Sequence, residues 1–284
     1  MTTLNLDRLK EYRNHIRRFS PNRRIKNVDE AESYVNECGF ITFWPAKGLD
    51  LPSLWGAVAG DRPVPSEHDD PGNITWEWKD ANLGSRRWYY GRTIHHRNAL
   101  ISFAYLPYFY ALSPNYGDPE TDYLDQYALG QLIPEAKNIY EALLRNGPMD
   151  TLSLRRAAHL SNPTSDSRFN RGLDELQMQF KVIPIGISPV GAWRYAFIYD
   201  IAPRHYPEIV ELARPISENE ARTTLSRRFL ELMGALRKQD IARAFGWRPP
   251  DAEAVQKRLL DEGVMICVQH PTDKHEWISL PEVL

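Results

Sequence analysis

The sequence predicts an α+β fold that is mainly α-helical and carries small β-hairpins. Two observations predict it: helical periodicity with clear start and stop residues in the second half of the chain, and two pairs of short apolar runs joined by turns. The composition, with 42% hydrophobic and 25% charged residues, is that of a globular protein and excludes a mainly disordered chain.

The elements are clearest near the C-terminus. Ser217 and Glu220 have the spacing of a capping box, and the apolar periodicity that follows runs to Gly234. The elements predicted after this helix are helices 238–245 and 249–263 and strands 264–268 and 276–280. Three helices followed by a hairpin is the order of a winged helix, a relative of the helix-turn-helix motif.

The same order occurs once upstream. Its predicted elements are helices 134–145, 153–160 and 165–180 and strands 182–187 and 193–198. The repeat predicts tandem winged-helix modules behind an N-terminal α/β region. The predicted domains are 1–133, a helical region with an aromatic β-hairpin; 134–202, a winged helix; 203–216, a linker; and 217–284, the C-terminal winged helix.

The first half of the chain is less regular. Residues 4–19 and 29–38 have helical periodicity. Ile74, Trp76 and Trp78 alternate with polar residues, which predicts a half-buried strand that pairs with 87–91.

The distribution of charge along the chain is more informative than the net charge. The formal net charge is −2, which excludes general basicity as an argument for nucleic-acid binding. Between residues 7 and 26, however, eight basic residues stand against two acids, and Arg13, Arg17 and Arg24 there are candidates for phosphate contacts. The alternative is a solvated helix face whose charges pair with acids elsewhere.

A second basic segment has no acidic residue between positions 81 and 117. Its candidates for phosphate contacts are Arg86, Arg87, Arg92, His96 and Arg97, and its candidates for base stacking, with the preceding strand, are Trp76, Trp78, Trp88 and Tyr89. The alternative is that the aromatic rings form the core and the arginines pack on them from outside. In the upstream winged helix, Arg168 and Arg171 stand one turn apart at the start of the third helix and are candidates for groove contacts.

One carboxylate is a candidate for catalysis. Glu77 lies between two tryptophans, where a carboxylate can act as a general acid or base. The alternative is a surface carboxylate paired with Lys79 or Arg87. The sequence contains no nucleophile elbow, phosphate-binding glycine loop or dinucleotide motif.

Other classes of site are not indicated. Cys38 and Cys267 lie far apart and His95-His96 has no supporting ligands, so neither a disulfide, a metal site nor a cofactor is predicted. The chain has no apolar run of membrane-spanning length and no secretion signal, which predicts a cytoplasmic protein without membrane contact. DNA is the expected partner; a protein partner and the oligomeric state stay open.

The chain resembles the AlkZ-like (YcaQ-like) family of bacterial tandem winged-helix DNA glycosylases, which excise alkylated or crosslinked bases. The resemblance rests on three groups of residues. They are Gly39-Phe40-Ile41-Thr42-Phe43-Trp44-Pro45 with Leu54-Trp55; Trp88-Tyr89-Tyr90 to His96 with Leu106-Pro107-Tyr108-Phe109; and the module starts Gly147-Pro148 and Arg237-Lys238-Gln239-Asp240.

The chain departs from that family at its catalytic motif. The family carries a Gln–aliphatic–Asp motif, where this sequence has Thr42 at the glutamine position and Trp44 at the aspartate position. An indole cannot stabilise an oxocarbenium ion by charge. The sequence therefore predicts a DNA-binding relative without the usual catalytic residues. Two alternatives stay open: an active glycosylase with a relocated carboxylate, and a regulatory or protein-interaction protein.

Overall fold

The computed structural model describes residues 2–66, 69–191 and 193–284. The chain divides into two compact units: unit 1 contains Met1–Thr75 and Glu218–Leu284, and unit 2 contains Trp76–Ser217. The domain boundaries expected from the sequence stay a prediction.

The first part of the chain is mostly helical. Its elements are β1 (Thr2–Thr3), α1 (Leu6–Ile16), α2 (Val28–Cys38), β2 (Phe40–Thr42), α3 (Leu54–Ala59) and α4 (Ile74–Ala81). The side chain of Asn5 accepts the Asp7 and Arg8 amides at the start of α1, and the side chain of Asn27 accepts the Glu30 amide at the start of α2. Asparagine is among the best residues for this capping role. Both helices predicted in this part of the chain are confirmed.

The strand predicted around Trp76 is wrong, because these residues form helix α4. The side chain of Asp70 accepts the Gly72 amide at 2.7 Å and opens a 3₁₀ turn that leads into the helix. Thr75 and Lys79, four residues apart, are fully buried on one face, whereas Trp76 is 40% exposed. This spacing is helical, and the alternation of apolar residues in the sequence is incidental.

Unit 2 begins within α4, which is followed by a hairpin and short helices. After α4 the elements are β3 (Tyr89–Ile94), β4 (Arg97–Ile101), α5 (Leu106–Ala111) and α6 (Asp122–Ala128). The pairing predicted between the tryptophan segment and 87–91 is therefore wrong, since β3 pairs with β4 and Tyr89 stands opposite Ile101. His95 and His96 form the turn with φ values of 48° and 59°. Two consecutive positive φ angles suit the right-handed twist of a tight hairpin.

The predicted order of helices and strands is confirmed in the rest of unit 2. The elements are α7 (Pro134–Asn146), β5 (Met149–Asp150), α8 (Thr151–Ala157), α9 (Asp166–Met178), β6 (Val182–Ser188), β7 (Ala196–Ile201), α10 (Ala202–His205) and α11 (Glu208–Ala213). The strands form a sheet in the order β5-β7-β6. Gly172 lets α9 approach α7 closely, because a Cβ there would lie 2.9 Å from the Ala136 nitrogen. The core between these helices contains Ile139, Leu143 and Leu176.

The last part of unit 1 repeats this order. Its elements are α12 (Glu218–Met233), β8 (Ala235–Arg237), α13 (Lys238–Phe245), α14 (Pro249–Asp261), β9 (Ile266–Gln269) and β10 (Trp277–Ser279). The sheet of unit 1 has the order β1-β9-β10-β8. The helices and the strand pair predicted here are confirmed. Among the described residues no helix is both long and apolar enough to span a bilayer.

The two cysteines differ in their surroundings, which gives a first prediction. Cys38 is 2% exposed, and burial raises the pKa of its thiol to about 12. Cys267 is partly exposed. Because the thiolate is the reactive form, we expect one thiol per native chain to react with iodoacetamide, and we expect peptide mapping to place it at Cys267. Rapid labelling of Cys38 in the native protein would contradict this burial.

Lys181 gives a second prediction, on pH dependence. Its side chain is buried in unit 2, its Nζ donates to Asn115 Oδ1 at 2.6 Å, and burial lowers the pKa of its amine to about 8. The unfolded chain therefore binds more protons than the folded chain between pH 8 and the ordinary lysine pKa. Stability contributed by this residue thus rises with pH through that window.

The measurement compares the wild-type chain with Lys181→Met by urea unfolding at pH 7.5 and pH 9.5. From the low to the high pH, the wild-type chain should gain about 2 kcal/mol of unfolding free energy relative to the variant. The comparison cancels the opposite contributions of buried thiols and phenols. A difference that does not change with pH would contradict a depressed pKa at Lys181.

Candidate nucleic-acid interface

Helix α9 and the hairpin packed against it carry five of the predicted basic residues in unit 2, and four of them, all but Arg97, bind carboxylates on α7 or α9. We call the five residues the α9 basic face: Arg92, His96, Arg97, Arg168 and Arg171. The side chains of Arg168, Arg171 and His96 are 57%, 66% and 61% exposed. Arg97 is exposed, and its side chain makes no hydrogen bond or ion pair with a described residue. The segments predicted separately around residues 92–97 and 168–171 thus meet along one helix.

Two carboxylates lie beneath the α9 basic face. Asp174 binds Arg92 Nε at 3.0 Å and His96 Nδ1 at 2.6 Å. Glu135 binds Arg168 Nε at 2.7 Å and lies 3.8 Å from Arg171 Nη2. The hydrogen bond from Arg168 is the main cause that lowers the pKa of Glu135.

The solvent exposure of the arginines and of the two carboxylates determines which charge this surface presents to a ligand. The Glu135 side chain is 9% exposed and the Asp174 side chain 18%, far less than the arginines above them. Four arginines stand against these two carboxylates, so the outer layer is positive and the negative charge is set back. Each exposed guanidinium can donate to a phosphate while the carboxylate fixes its position.

Backbone contacts hold the hairpin against α9. The Arg92 amide donates to Gln177 Oε1 at 3.2 Å, and the His96 amide lies 3.4 Å from Met178 Sδ. The left-handed turn at His95 and His96 is what brings the second amide to the end of the helix. The helix and the hairpin therefore present their basic side chains from a fixed framework.

The predicted residues Arg13 and Arg17 have mainly structural contacts in unit 1. Arg13 donates to the carbonyls of Met233 and Ala235 at 2.9 and 2.8 Å, and burial lowers the pKa of its guanidinium. Both arginines bind the Asp50 carboxylate, at 3.2 and 2.8 Å. These bonds tie α1 to the start of β8 and to the loop after β2. The alternative of charges paired within the fold describes these two residues better.

The other predicted arginines differ in their surroundings. Arg24 packs on Gly60, where a Cβ would lie 2.4 Å from its Nη2. Arg86 is ion-paired with Glu208 and lies over the Tyr206 ring. Arg87 is half-buried.

The aromatic residues predicted to stack on bases differ in burial. Trp88 is 1% exposed and Tyr89 is fully buried, so the stacking role predicted for both is wrong: neither ring has a face open to a base. Trp78 is half-buried. Trp76, which is 40% exposed on α4, keeps a face open to solvent.

Glu77 is exposed on α4 and makes no hydrogen bond or ion pair with a described residue. It is not enclosed by the two tryptophans, because neighbouring residues on a helix point about 100° apart. The pairing with Lys79 considered from the sequence is wrong, since Lys79 binds Asp80 at 2.6 Å instead.

The positions of the catalytic motif expected from the family resemblance lie at the end of β2. Thr42 is fully buried, and its Oγ1 donates to the Pro52 carbonyl at 3.2 Å. The Trp44 ring packs against Phe43 and Trp55 at centroid distances of 5.0 and 6.0 Å. Neither side chain can hold a hydrolytic water by charge, because a satisfied hydroxyl and an indole occupy the two positions.

The two carboxylates that organise the α9 basic face, Glu135 and Asp174, are not among the residues predicted from the sequence. The spacing of Asp174 could have indicated its role. It stands three residues after Arg171, which stands three after Arg168, and residues at this spacing form one stripe on a helix. The spacing of Glu135 gives no such indication, because its position depends on the packing of α7 against α9. Among the described residues no three histidine, cysteine, aspartate or glutamate side chains group as a metal site requires.

The fold and site define an α+β protein with two helix-and-hairpin modules and an exposed basic face on the third helix of one of them. A family model described as "AlkZ related" matches residues 25–246. The chain therefore belongs to the AlkZ-related family, and the resemblance noted in the sequence is confirmed.

One solved structure shares the fold. It is that of the Streptomyces sahachiroi DNA glycosylase AlkZ, which is 12% identical, with a TM-score of 0.57 over 99% of this chain and 71% of that chain. No curated protein matches the sequence.

Proposed function

We propose that this protein binds DNA through the α9 basic face and lacks the hydrolytic chemistry of the glycosylases in its family. The observation that carries the proposal is the arrangement of exposed arginines over two shielded carboxylates. Four guanidinium groups on one side of a unit can contact consecutive phosphates, which supply most of the affinity in DNA binding. Membership of the AlkZ-related family supports DNA as the polyanion.

The position of the arginines supports a duplex as ligand. Arg168 and Arg171 lie in the first two turns of α9, the third helix of its module. In winged-helix and helix-turn-helix proteins, residues near the start of this helix contact the DNA. The hairpin residues Arg92 and Arg97 add phosphate contacts beside the helix. We therefore assign α9 and the β3–β4 hairpin to DNA binding, with Arg13, Arg17 and Arg24 outside the interface.

The absence of the usual hydrolysis rests on Thr42 and Trp44. The family's motif places an amide and a carboxylate where this chain has a buried hydroxyl and an indole. Removing one preorganised group that stabilises charge costs about a hundredfold to a thousandfold in rate. Here both groups are replaced, and no hydrolysis through this motif is expected.

The experiment measures binding and base release in one series. Fluorescence anisotropy with a labelled duplex at low salt should show binding, and incubation with methylated DNA should release no alkylated base. Absence of binding at low salt would overturn the proposal and favour a protein-interaction module. Base release that disappears in Glu77→Gln would instead support the relocated-carboxylate alternative.

A further inference from the structure

A buried lysine in unit 2 has an environment that DNA binding does not explain. Lys79 is fully buried on α4. Its Nζ lies 2.6 Å from Asp80 Oδ1 and 2.9 Å from the Tyr195 hydroxyl, and that hydroxyl donates to the same Asp80 oxygen at 2.8 Å. The amine, the carboxylate and the phenol therefore form a closed triangle of polar groups.

Four aromatic rings surround the Lys79 amine, and one of them is the ring of Tyr195 itself. The Lys79 Nζ lies 4.2 Å from the Trp76 ring centroid, and 4.8, 5.4 and 5.6 Å from those of Phe197, Tyr90 and Tyr195. We call this arrangement the Lys79 cage. Rings at these distances stabilise a cation through their negative faces. Burial nevertheless lowers the pKa of the Lys79 amine.

A lysine of this kind is suited to covalent chemistry. A lysine amine attacks a carbonyl only when it is neutral, and removal from water is the usual way in which proteins favour that form. The Asp80 carboxylate lies within hydrogen-bond distance and can accept the proton that the amine loses.

One wall of the cage is partly exposed to solvent. Trp76 packs closest to the amine, yet 40% of this residue is exposed to solvent. The Tyr195 ring packs edge-on against it with the centroids 6.4 Å apart. A ligand reaches the amine only if the Trp76 side chain rotates away from the cage, because Lys79 is fully buried.

The cage also lies close to the α9 basic face. Tyr90 and Arg92 are two residues apart on β3, so their side chains point to the same side of the strand. This spacing places them about 7 Å apart along the strand. A phosphate held by Arg92 would bring the neighbouring sugar of the same strand to the edge of the cage.

We propose that Lys79 forms an imine with the aldehyde of an abasic deoxyribose, so that the protein acts as an abasic-site lyase. This inference rests on the proposed DNA binding for its substrate class. The neutral amine adds to C1′ of the ring-opened sugar, Asp80 gives the proton it took from the amine to the C1′ hydroxyl, and this hydroxyl leaves as water as the imine forms. The Asp80 carboxylate then accepts a proton from C2′, the C3′–O bond breaks and the phosphate departs. Water hydrolyses the imine and returns the amine.

The test is reductive trapping with sodium cyanoborohydride on the full chain. Two probes are used: a duplex with one abasic site, and 2-deoxyribose 5-phosphate, which offers the same aldehyde without a duplex. Peptide mapping of the wild-type chain should place the adduct on Lys79 at least tenfold above the exposed Lys257. Lys79→Arg keeps a cation in the cage but forms no imine, and it should lose both the adduct and strand scission while binding DNA as the wild-type chain does.

The two probes separate the failure of this inference from the failure of DNA binding. If the sugar phosphate labels Lys79 and the duplex is not bound, the cage is reactive and the proposed function is wrong. If the duplex is bound and neither probe labels Lys79 above Lys257, the lyase proposal is overturned and DNA binding stands. An equal yield of adduct in Lys79→Arg would overturn it as well.

Discussion

Replacing Trp88 with alanine is expected to lower the free energy of unfolding by about 3 to 5 kcal/mol, the range for truncation of a buried tryptophan. The residue is 1% exposed, so truncation of its side chain leaves a cavity in the core. Urea unfolding followed by far-ultraviolet circular dichroism measures the loss. A folded Trp88→Phe variant should bind DNA as the wild-type chain does.

The matched control is Trp193→Ala. Trp193 is 91% exposed, and its replacement should change the unfolding free energy by about 0.5 kcal/mol or less. If Trp88→Ala proved as stable as the wild-type chain and lost DNA binding, the residue would be a stacking platform after all. Its burial would then be contradicted.

The double variant Arg97→Ala/Arg171→Ala is expected to weaken duplex binding at low salt by about a hundredfold, since each charge-assisted hydrogen bond contributes about 1.5 kcal/mol. These two side chains are chosen because they have the weakest internal partners. Arg97 has none among the described residues, and Arg171 lies 3.8 Å from Glu135. Stability should therefore change little, and anisotropy titrations read the loss directly.

The control removes the same charge elsewhere. Arg214→Ala/Lys257→Ala deletes two exposed cations, one just after α11 and one on α14. This variant should bind DNA within about twofold of the wild-type chain, because phosphate contacts depend on position as well as on net charge. Equal losses in the two double variants would mean that only the overall charge matters, and the α9 basic face would lose its role.

Much of the fold could be predicted because local chemistry specifies it. Lys238–Phe245 was predicted at its observed bounds, since its apolar face and the following Gly246 mark both the helix and its end. The strand prediction around Trp76 is wrong for a physical reason. Three apolar residues at alternate positions fit a strand, but the turn at Asp70 starts a helix there, and Thr75 and Lys79 are the residues that become buried.

The site was predictable only in part. The sequence indicated the arginines of the α9 basic face, because cations cluster in acid-free or helical segments. It could not indicate which of the predicted arginines would be paired with carboxylates, since Arg13 meets Asp50 and Arg168 meets Glu135 only after folding. The Lys79 cage could not be predicted for the same reason: α4 and the residue just before β7, Tyr195, supply its central groups from positions more than a hundred residues apart.

The salt dependence of duplex binding by the wild-type chain tests the central claim most directly. If the four arginines of the α9 basic face contact phosphates, the logarithm of the association constant should fall linearly with the logarithm of salt concentration, with a slope of about −3 to −4. A slope near zero, or no binding at the lowest salt, would contradict DNA recognition by this surface.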